Sequence, residues 1–213
     1  MILARPIRGL FLLLCFLLPA APATATGEDP AALLRELEAT AAKVRNLSCS
    51  FTQEKQLALF ARPVIFHGTL HLARPDRLRW EFTRPVPSVL IFKGESGLRC
   101  AEGQTTRFDL NSDPITRMVA HQLWLWLGGD YAKLAAEYHL TLAAPHTLLV
   151  EPQNRKIGEF VASVTITFDP ASLQPRQVKI AEPGGDTTTI SFHAYQLDAP
   201  LDENLFNRCD SRE

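Results

Sequence analysis

The sequence predicts a mainly β domain with α-helices: an open, curved antiparallel half-barrel of about eleven strands, with helices covering its concave face. Three observations carry that prediction. Short stretches alternate strictly between apolar and polar residues and are joined by short turns, as antiparallel strands with one wet face do. Two Asp-Pro pairs, Asp29-Pro30 and Asp113-Pro114, each set a helix N-cap before a proline of the first turn. Between two groups of strands, Leu123 to Leu127 is apolar nearly all round, so a helix there needs apolar partners on more than one side.

Residues 1–25 read as a cleaved secretory signal. Arg5 and Arg8 precede the apolar run Leu10 to Leu18, and Ala-x-Ala triplets follow at 21–23 and 23–25. The run is shorter than the ~20 residues that cross a bilayer, and Pro19 and Pro22 end it. Cys15 follows Leu14, where a lipidated cysteine is preceded by a small residue, so the Ala-x-Ala exit is favoured. Residues 26–213 then form a single domain, with no repeat, linker or low-complexity tract to divide it.

From Pro30, the residues Leu33, Leu34, Leu37, Ala41 and Val44 recur at helical spacing, which predicts an amphipathic helix ending near Asn46. The period then falls to two. Leu47, Cys49, Phe51, Leu57 and Leu59 share one parity, followed by Val64, Phe66, Gly68, Leu70 and Leu72, then by Leu78, Trp80 and Phe82. Strands at Val89 to Phe92, Leu98 to Ala101 and Thr105 to Leu110 continue the meander. A helix from Pro114 to about Leu127 stops at Gly128-Gly129, and a shorter one covers Tyr131 to Ala136. Strands resume at Tyr138 to Leu142, His146 to Val150, Val161 to Phe168, Pro175 to Ile180 and Thr187 to Tyr195.

Charge excludes one class of partner. Loss of the signal removes Arg5 and Arg8, leaving 20 basic residues against 23 acidic ones, too even for a surface that tracks phosphates. Nucleic acid is not expected. Cys49, Cys100 and Cys209 remain in an exported chain, which allows one disulfide and leaves its pairing open.

Catalytic patterns are missing where they would be looked for. Gly94-Glu95-Ser96-Gly97 has the wrong spacing for a nucleophile elbow and falls at a hairpin turn. His67 and His71 share a strand face, but no third ligand recurs at a metal-binding offset, so solvent-facing histidines are expected. No glycine-rich loop opens a helix after a strand, and Glu81, Glu102 and Asp130 are scattered. Neither an enzyme nor a cofactor is expected. Arg77 and Arg79 alternate outward on the wet face, whereas Arg74, before Pro75, lies in a turn at the rim.

Several short motifs in order resemble one family, the periplasmic carriers of outer-membrane lipoproteins of the LolA type. They are Ser50-Phe51-Thr52-Gln53, Phe66-x-Gly68-x-Leu70, Arg74-Pro75-x-x-Leu78-x-Trp80, Pro85, the Val89 to Gly94 strand and turn, Ile166-x-Phe168-Asp169, Pro175 and Ile190-Ser191-Phe192. The sequence departs from the better-known carriers at Leu78, where they have phenylalanine, in Leu98 to Ala101, which lacks their tryptophan and tyrosine, and in the short stretch after Phe206.

The resemblance implies a hydrophobic cavity for acyl chains under a helical lid. It implies lipid-binding positions at Phe66, Leu70, Leu78, Trp80, Phe82, Val89, Leu90, Met118, Leu123 and Trp124, and a lid-holding role for Arg74. It also implies a monomer in the periplasm that accepts a lipoprotein from an inner-membrane ABC-type release complex and passes it to an outer-membrane receptor lipoprotein. Carriage of another lipid or glycolipid, or sensing of stray periplasmic lipid, uses the same fold and stands as the alternative.

Overall fold

The computed structural model describes residues 30–209. The expected signal segment, with Cys15, and the Asp29 N-cap lie outside the described residues. Helix α1 (Pro30–Ala41) leads into six strands: β1 (Asn46–Gln56), β2 (Val64–Ala73), β3 (Arg77–Arg84), β4 (Ser88–Lys93), β5 (Ser96–Ala101) and β6 (Gln104–Asp109). Helices α2 (Pro114–Leu127) and α3 (Tyr131–Glu137) follow. Then come β7 (Tyr138–Ala144), β8 (Thr147–Pro152), a short α4 (Arg155–Gly158), β9 (Ser163–Phe168), β10 (Pro175–Ala181), β11 (Thr187–Leu197) and a 3-10 turn, Glu203–Phe206.

The strands form one antiparallel sheet in the order β6-β5-β4-β3-β2-β1-β11-β10-β9-β8-β7. Two meanders therefore meet at β1 and β11, with Phe51 opposite Phe192. Strands β6 and β7 are its unpaired edges among the described residues, so the sheet stays open as a curved half-barrel. The connection between those edges carries α2 and α3 over the inner face.

Alternation of side chains explains which face is filled. Leu47, Cys49 and Phe51 of β1, and Val164, Ile166 and Phe168 of β9, are buried with partly exposed neighbours between them. These inward rows pack with Leu37 of α1, Leu125 and Leu127 of α2 and Leu134 of α3 in one continuous core. Gly68 has a specific reason to lack a side chain: a Cβ there would come within 2.4 Å of the Phe51 ring, which lies across its strand. The α2 N-terminus is capped as expected, with Asp113 accepting from the Thr116 N–H at 3.0 Å. At its C-terminus the Gly128 N–H donates to the Trp124 carbonyl at 2.7 Å, and Gly129 takes φ +84°.

The structure corrects several boundaries. Helix α1 stops at Ala41 and not near Asn46, because the chain after it is already tied into the sheet: the Asp198 carboxylate accepts from the N–H groups of Arg45 and Asn46 at 2.8 and 3.2 Å. Strand β1 ends at Gln56, so Leu57 and Leu59 do not extend the apolar row. The Gln56 amide folds back on the Phe60 carbonyl at 2.6 Å, and Leu59 and Phe60 are 94% and 61% exposed in the loop beyond. Helix α4 and the 3-10 turn are additions that periodicity over so few residues did not reveal.

The outer face also departs from expectation. A second, small cluster of Ala73, Ile91, Leu98, Cys100 and Phe206 lies there, covered by the C-terminal segment. A disulfide joins Cys100 to Cys209 across 109 residues, which settles the pairing the sequence left open. Cys49 is free and buried, and burial pushes its thiol up to about 12. Arg79 points to the outer face as expected but is 0% exposed. Its guanidinium donates to the carbonyls of Leu205, Arg208 and Cys209 at 2.8 to 3.0 Å and pairs with Glu81 at 2.9 Å. Arg77 lies 5.4 Å over the Phe206 ring.

Candidate functional site

An apolar cavity of about 460 Å³ lies between the inner face of the sheet and the lid helix α2. One wall is the row Trp80, Phe82 and Leu90 on β3 and β4, extended by Ile180 and Ile190 across the sheet. Helix α2 supplies the facing wall. Met118, Val119, Gln122, Leu123 and Trp126 recur at intervals of three and four residues, which sets them on one stripe of the helix. Phe160 after α4 lines the opening and is itself exposed.

Aromatic rings pack against one another along the sheet wall. Phe51 lies 4.4 Å from Trp80 and meets Phe82 edge-on at 5.5 Å, while Phe192 meets Trp80 edge-on at 6.2 Å. The opening lies at the end of the sheet where the β1–β2, β3–β4 and β10–β11 connections and α4 emerge. That end bears exposed apolar residues from separate connections: Leu59 and Phe60, Val86, and Phe160.

Five of the expected lipid-binding residues, Trp80, Phe82, Leu90, Met118 and Leu123, line this cavity. Phe66 is on the same face but does not line the cavity, and meets Phe82 edge-on at 5.5 Å. Leu70 and Leu78 are sealed in the core beneath the helices. Val89 is on the outer face, beside Cys100 and Cys209, because it pairs with Glu81 while Leu90 pairs with Trp80. Adjacent strand residues cannot share a face. Trp124 faces a second hollow of about 320 Å³ on the other flank of the lid, together with Arg74, Pro75, His121 and Lys133.

Arg74 sits where lid and sheet meet. Its Nε donates to the Val44 carbonyl, between α1 and β1, at 2.9 Å. Its guanidinium reaches within 3.0 Å of the place a Cβ would occupy on Gly129, in the turn between α2 and α3. Burial lowers its pKa from the ordinary value, and Tyr131 opposes that shift.

Few polar side chains line the cavity, and two of them carry a buried donor that is unsatisfied. Gln122 and Trp126 are 7% and 5% exposed, and neither Gln122 Nε2 nor Trp126 Nε1 has a hydrogen-bond partner. An unpaired buried donor costs about 1–3 kcal/mol. The Gln122 amide is oriented by Tyr138, whose hydroxyl donates to Gln122 Oε1. The charged group in the lining is Glu182, which is paired with Lys55. Among the described residues no three His, Cys, Asp or Glu side chains are grouped to hold a metal ion. His67 and His71 face Thr52 and Ser48 across β1 at 3.4 and 2.9 Å.

Residues 42–209 match the model of the family described as outer membrane lipoprotein carrier protein LolA. The chain belongs to that family. A relative named outer-membrane lipoprotein carrier protein, from Alkalilimnicola ehrlichii, is 23% identical over 149 residues, covering 65% of this chain and 62% of that protein. The match thus spans less than two thirds of the relative's length. Among solved structures, a conserved uncharacterized protein from Thermus thermophilus superposes with a TM-score of 0.53 at 9% identity, covering 86% of this chain and 96% of that one. MucB superposes with a TM-score of 0.50 at 13% identity, covering 84% and 64%. At such identities these two likenesses concern the fold.

The residues that line the cavity but escaped sequence reasoning fall into two kinds. Ile180 and Ile190 were signalled by strand parity and could have been named. Gln122 falls on the helical stripe of Met118 and Trp126 but is polar, and Ile157 and Phe160 lie in a connection with no periodic pattern to mark them.

Proposed function

We propose that this LolA family member is a periplasmic carrier that shields the acyl chains of lipoproteins and shuttles them from the inner to the outer membrane. The observation that carries the reading is the apolar cavity between Trp80, Phe82 and Leu90 on the sheet and Met118 and Leu123 on the lid. Its volume of about 460 Å³ is in the ~300–1,000 Å³ range of small-ligand sites. Moving an acylated molecule through water is a burial problem: at ~0.8 kcal/mol per methylene, a chain of about 16 carbons carries on the order of 13 kcal/mol. A wall of side chains without reactive groups meets that need. Several chains need more room than the cavity offers, so loading displaces α2. Arg74, at the junction of α1, the β2–β3 turn and the lid, is the residue placed to restrain that movement.

Cargo would be received from an inner-membrane ABC-type release complex and delivered to a receptor lipoprotein of the outer membrane. The test is gentle purification of the full chain from the periplasm of its host, followed by mass spectrometry of what accompanies it. Acylated lipoprotein is the expected result. Free glycolipid would redirect the reading to another cargo, and an empty protein that takes up no acyl chain would end it.

A further inference from the structure

Two hydrogen-bond donors are sealed on the lid side of a mostly apolar cavity. Gln122 and Trp126 lie four residues apart on α2, so they project one above the other on the stripe that includes Met118. Both are more than nine-tenths buried, and Gln122 Nε2 and Trp126 Nε1 have no acceptor among the described residues. Native interiors seldom leave such groups orphaned, and an orphan marks a functional reason or a missing partner. Tyr138 holds one end of the Gln122 amide, its hydroxyl donating to Oε1, and Nε2 lies at the other end.

We infer that Gln122 and Trp126 form a subsite for the neutral carbonyl that joins an acyl chain to its headgroup. The inference rests on the carrier reading and specifies the chemistry that reading leaves open. The missing partner is an acceptor, since both orphans are donors. It is uncharged, since the cavity lining holds no lysine or arginine to pair with an anion, and its one carboxylate, Glu182, is already paired with Lys55. It belongs to a largely apolar molecule, since most of the lining is apolar and only Gln53, Glu182 and Thr188 add further polar side chains. Ester and amide linkages of acyl chains meet all three conditions. Simple hydrocarbons lack the acceptor, and ether lipids offer a weaker one than a carbonyl. As the lid shifts to admit a chain, the two N–H groups become available to the carbonyl and fix how far the chain enters, as a few placed polar groups do in apolar sites.

The test compares dioctanoylglycerol with its dioctyl ether counterpart, which lacks only the carbonyls, in displacement of a fluorescent fatty-acyl probe from the full protein. The quantity read is the ratio of ester to ether affinity within each protein, so a general loss of binding in a variant cancels. Wild type is expected to prefer the ester on the order of tenfold, the scale of one or two hydrogen bonds. Gln122→Leu and Trp126→Phe should each bring the ratio toward one. N-hexylpalmitamide against an uncharged dialkyl ether of equal length asks the same of amide-linked chains, and a preference there alone assigns the subsite to amides. Equal wild-type affinity for carbonyl and carbonyl-free probes in both comparisons overturns the subsite while the carrier reading stands. So does a preference that survives in both variants. Failure of every lipid to bind overturns both.

Discussion

Arg79 Nη2 donates to the Cys209 carbonyl at 2.8 Å, from a side chain with no exposed surface. The same guanidinium caps the carbonyls of Leu205 and Arg208, so one cation gathers the end of the described chain onto the outer face of β3. Removing it takes a charged donor from three carbonyls and from the Glu81 carboxylate. Arg79→Met is expected to destabilise by about 3–5 kcal/mol, as for loss of one partner of a buried ion pair. Urea unfolding checks this, and a loss below about 1 kcal/mol would refute the buried network.

The Cys100–Cys209 disulfide closes a loop with a sequence separation of 109 over the same face. Replacing both cysteines by serine should cost on the order of 2–5 kcal/mol, in line with long-loop disulfides. The double variant should also lose protection of the segment around Phe206 before the sheet unfolds. Hydrogen exchange of that segment reads the second effect separately from the first.

Arg74→Leu should leave the fold intact and loosen the lid. The bond from its Nε to Val44 is of the charged-donor kind, worth about 1–3 kcal/mol. The expected outcome is increased binding of an environment-sensitive apolar dye by the empty protein, with altered retention of acylated cargo. Gly129→Ala tests the same junction from the lid side: at φ +84° a side chain costs roughly 1–2 kcal/mol, and the new methyl would meet Ala41. Dye binding and cargo retention unchanged in both variants would remove Arg74 from lid control.

His71 gives the fold a pH dependence of definite sign. Burial holds its pKa below the ordinary 6.5, with Arg79 acting in the same direction and Glu81 against it. The unfolded chain therefore binds this proton first as pH falls, and stability drops as the medium passes below about 6.5. His71→Asn should flatten that part of the stability profile. A wild-type profile already flat between neutrality and mild acid would contradict it.

Strand parity made much of this structure readable in advance. Leu78, Trp80 and Phe82 share the inner face as their alternation required, and the α2 boundaries followed from Asp113 and Gly128-Gly129. Parity says which face a residue takes but not what covers that face. Arg79 was assigned correctly to the outer side and incorrectly to solvent, because its cover arrives from residues more than 120 positions later. Val89 was misplaced for a simpler reason: it was grouped with its neighbour Leu90 although consecutive strand residues diverge. The division of Leu70 and Leu78 from Trp80 and Phe82, core from cavity wall, depends on where the helices rest along the trough, which one-dimensional patterns do not encode.

The lid is spliced into both free margins of the sheet, β6 on one side and β7 on the other. It is strung between them as a cord is strung on a bow. Any spreading of the trough draws that cord tighter across the gap, and any slackening lets it rise. Breadth and cover are thus mechanically coupled, and a guest that pushes the margins apart acts on its own roof.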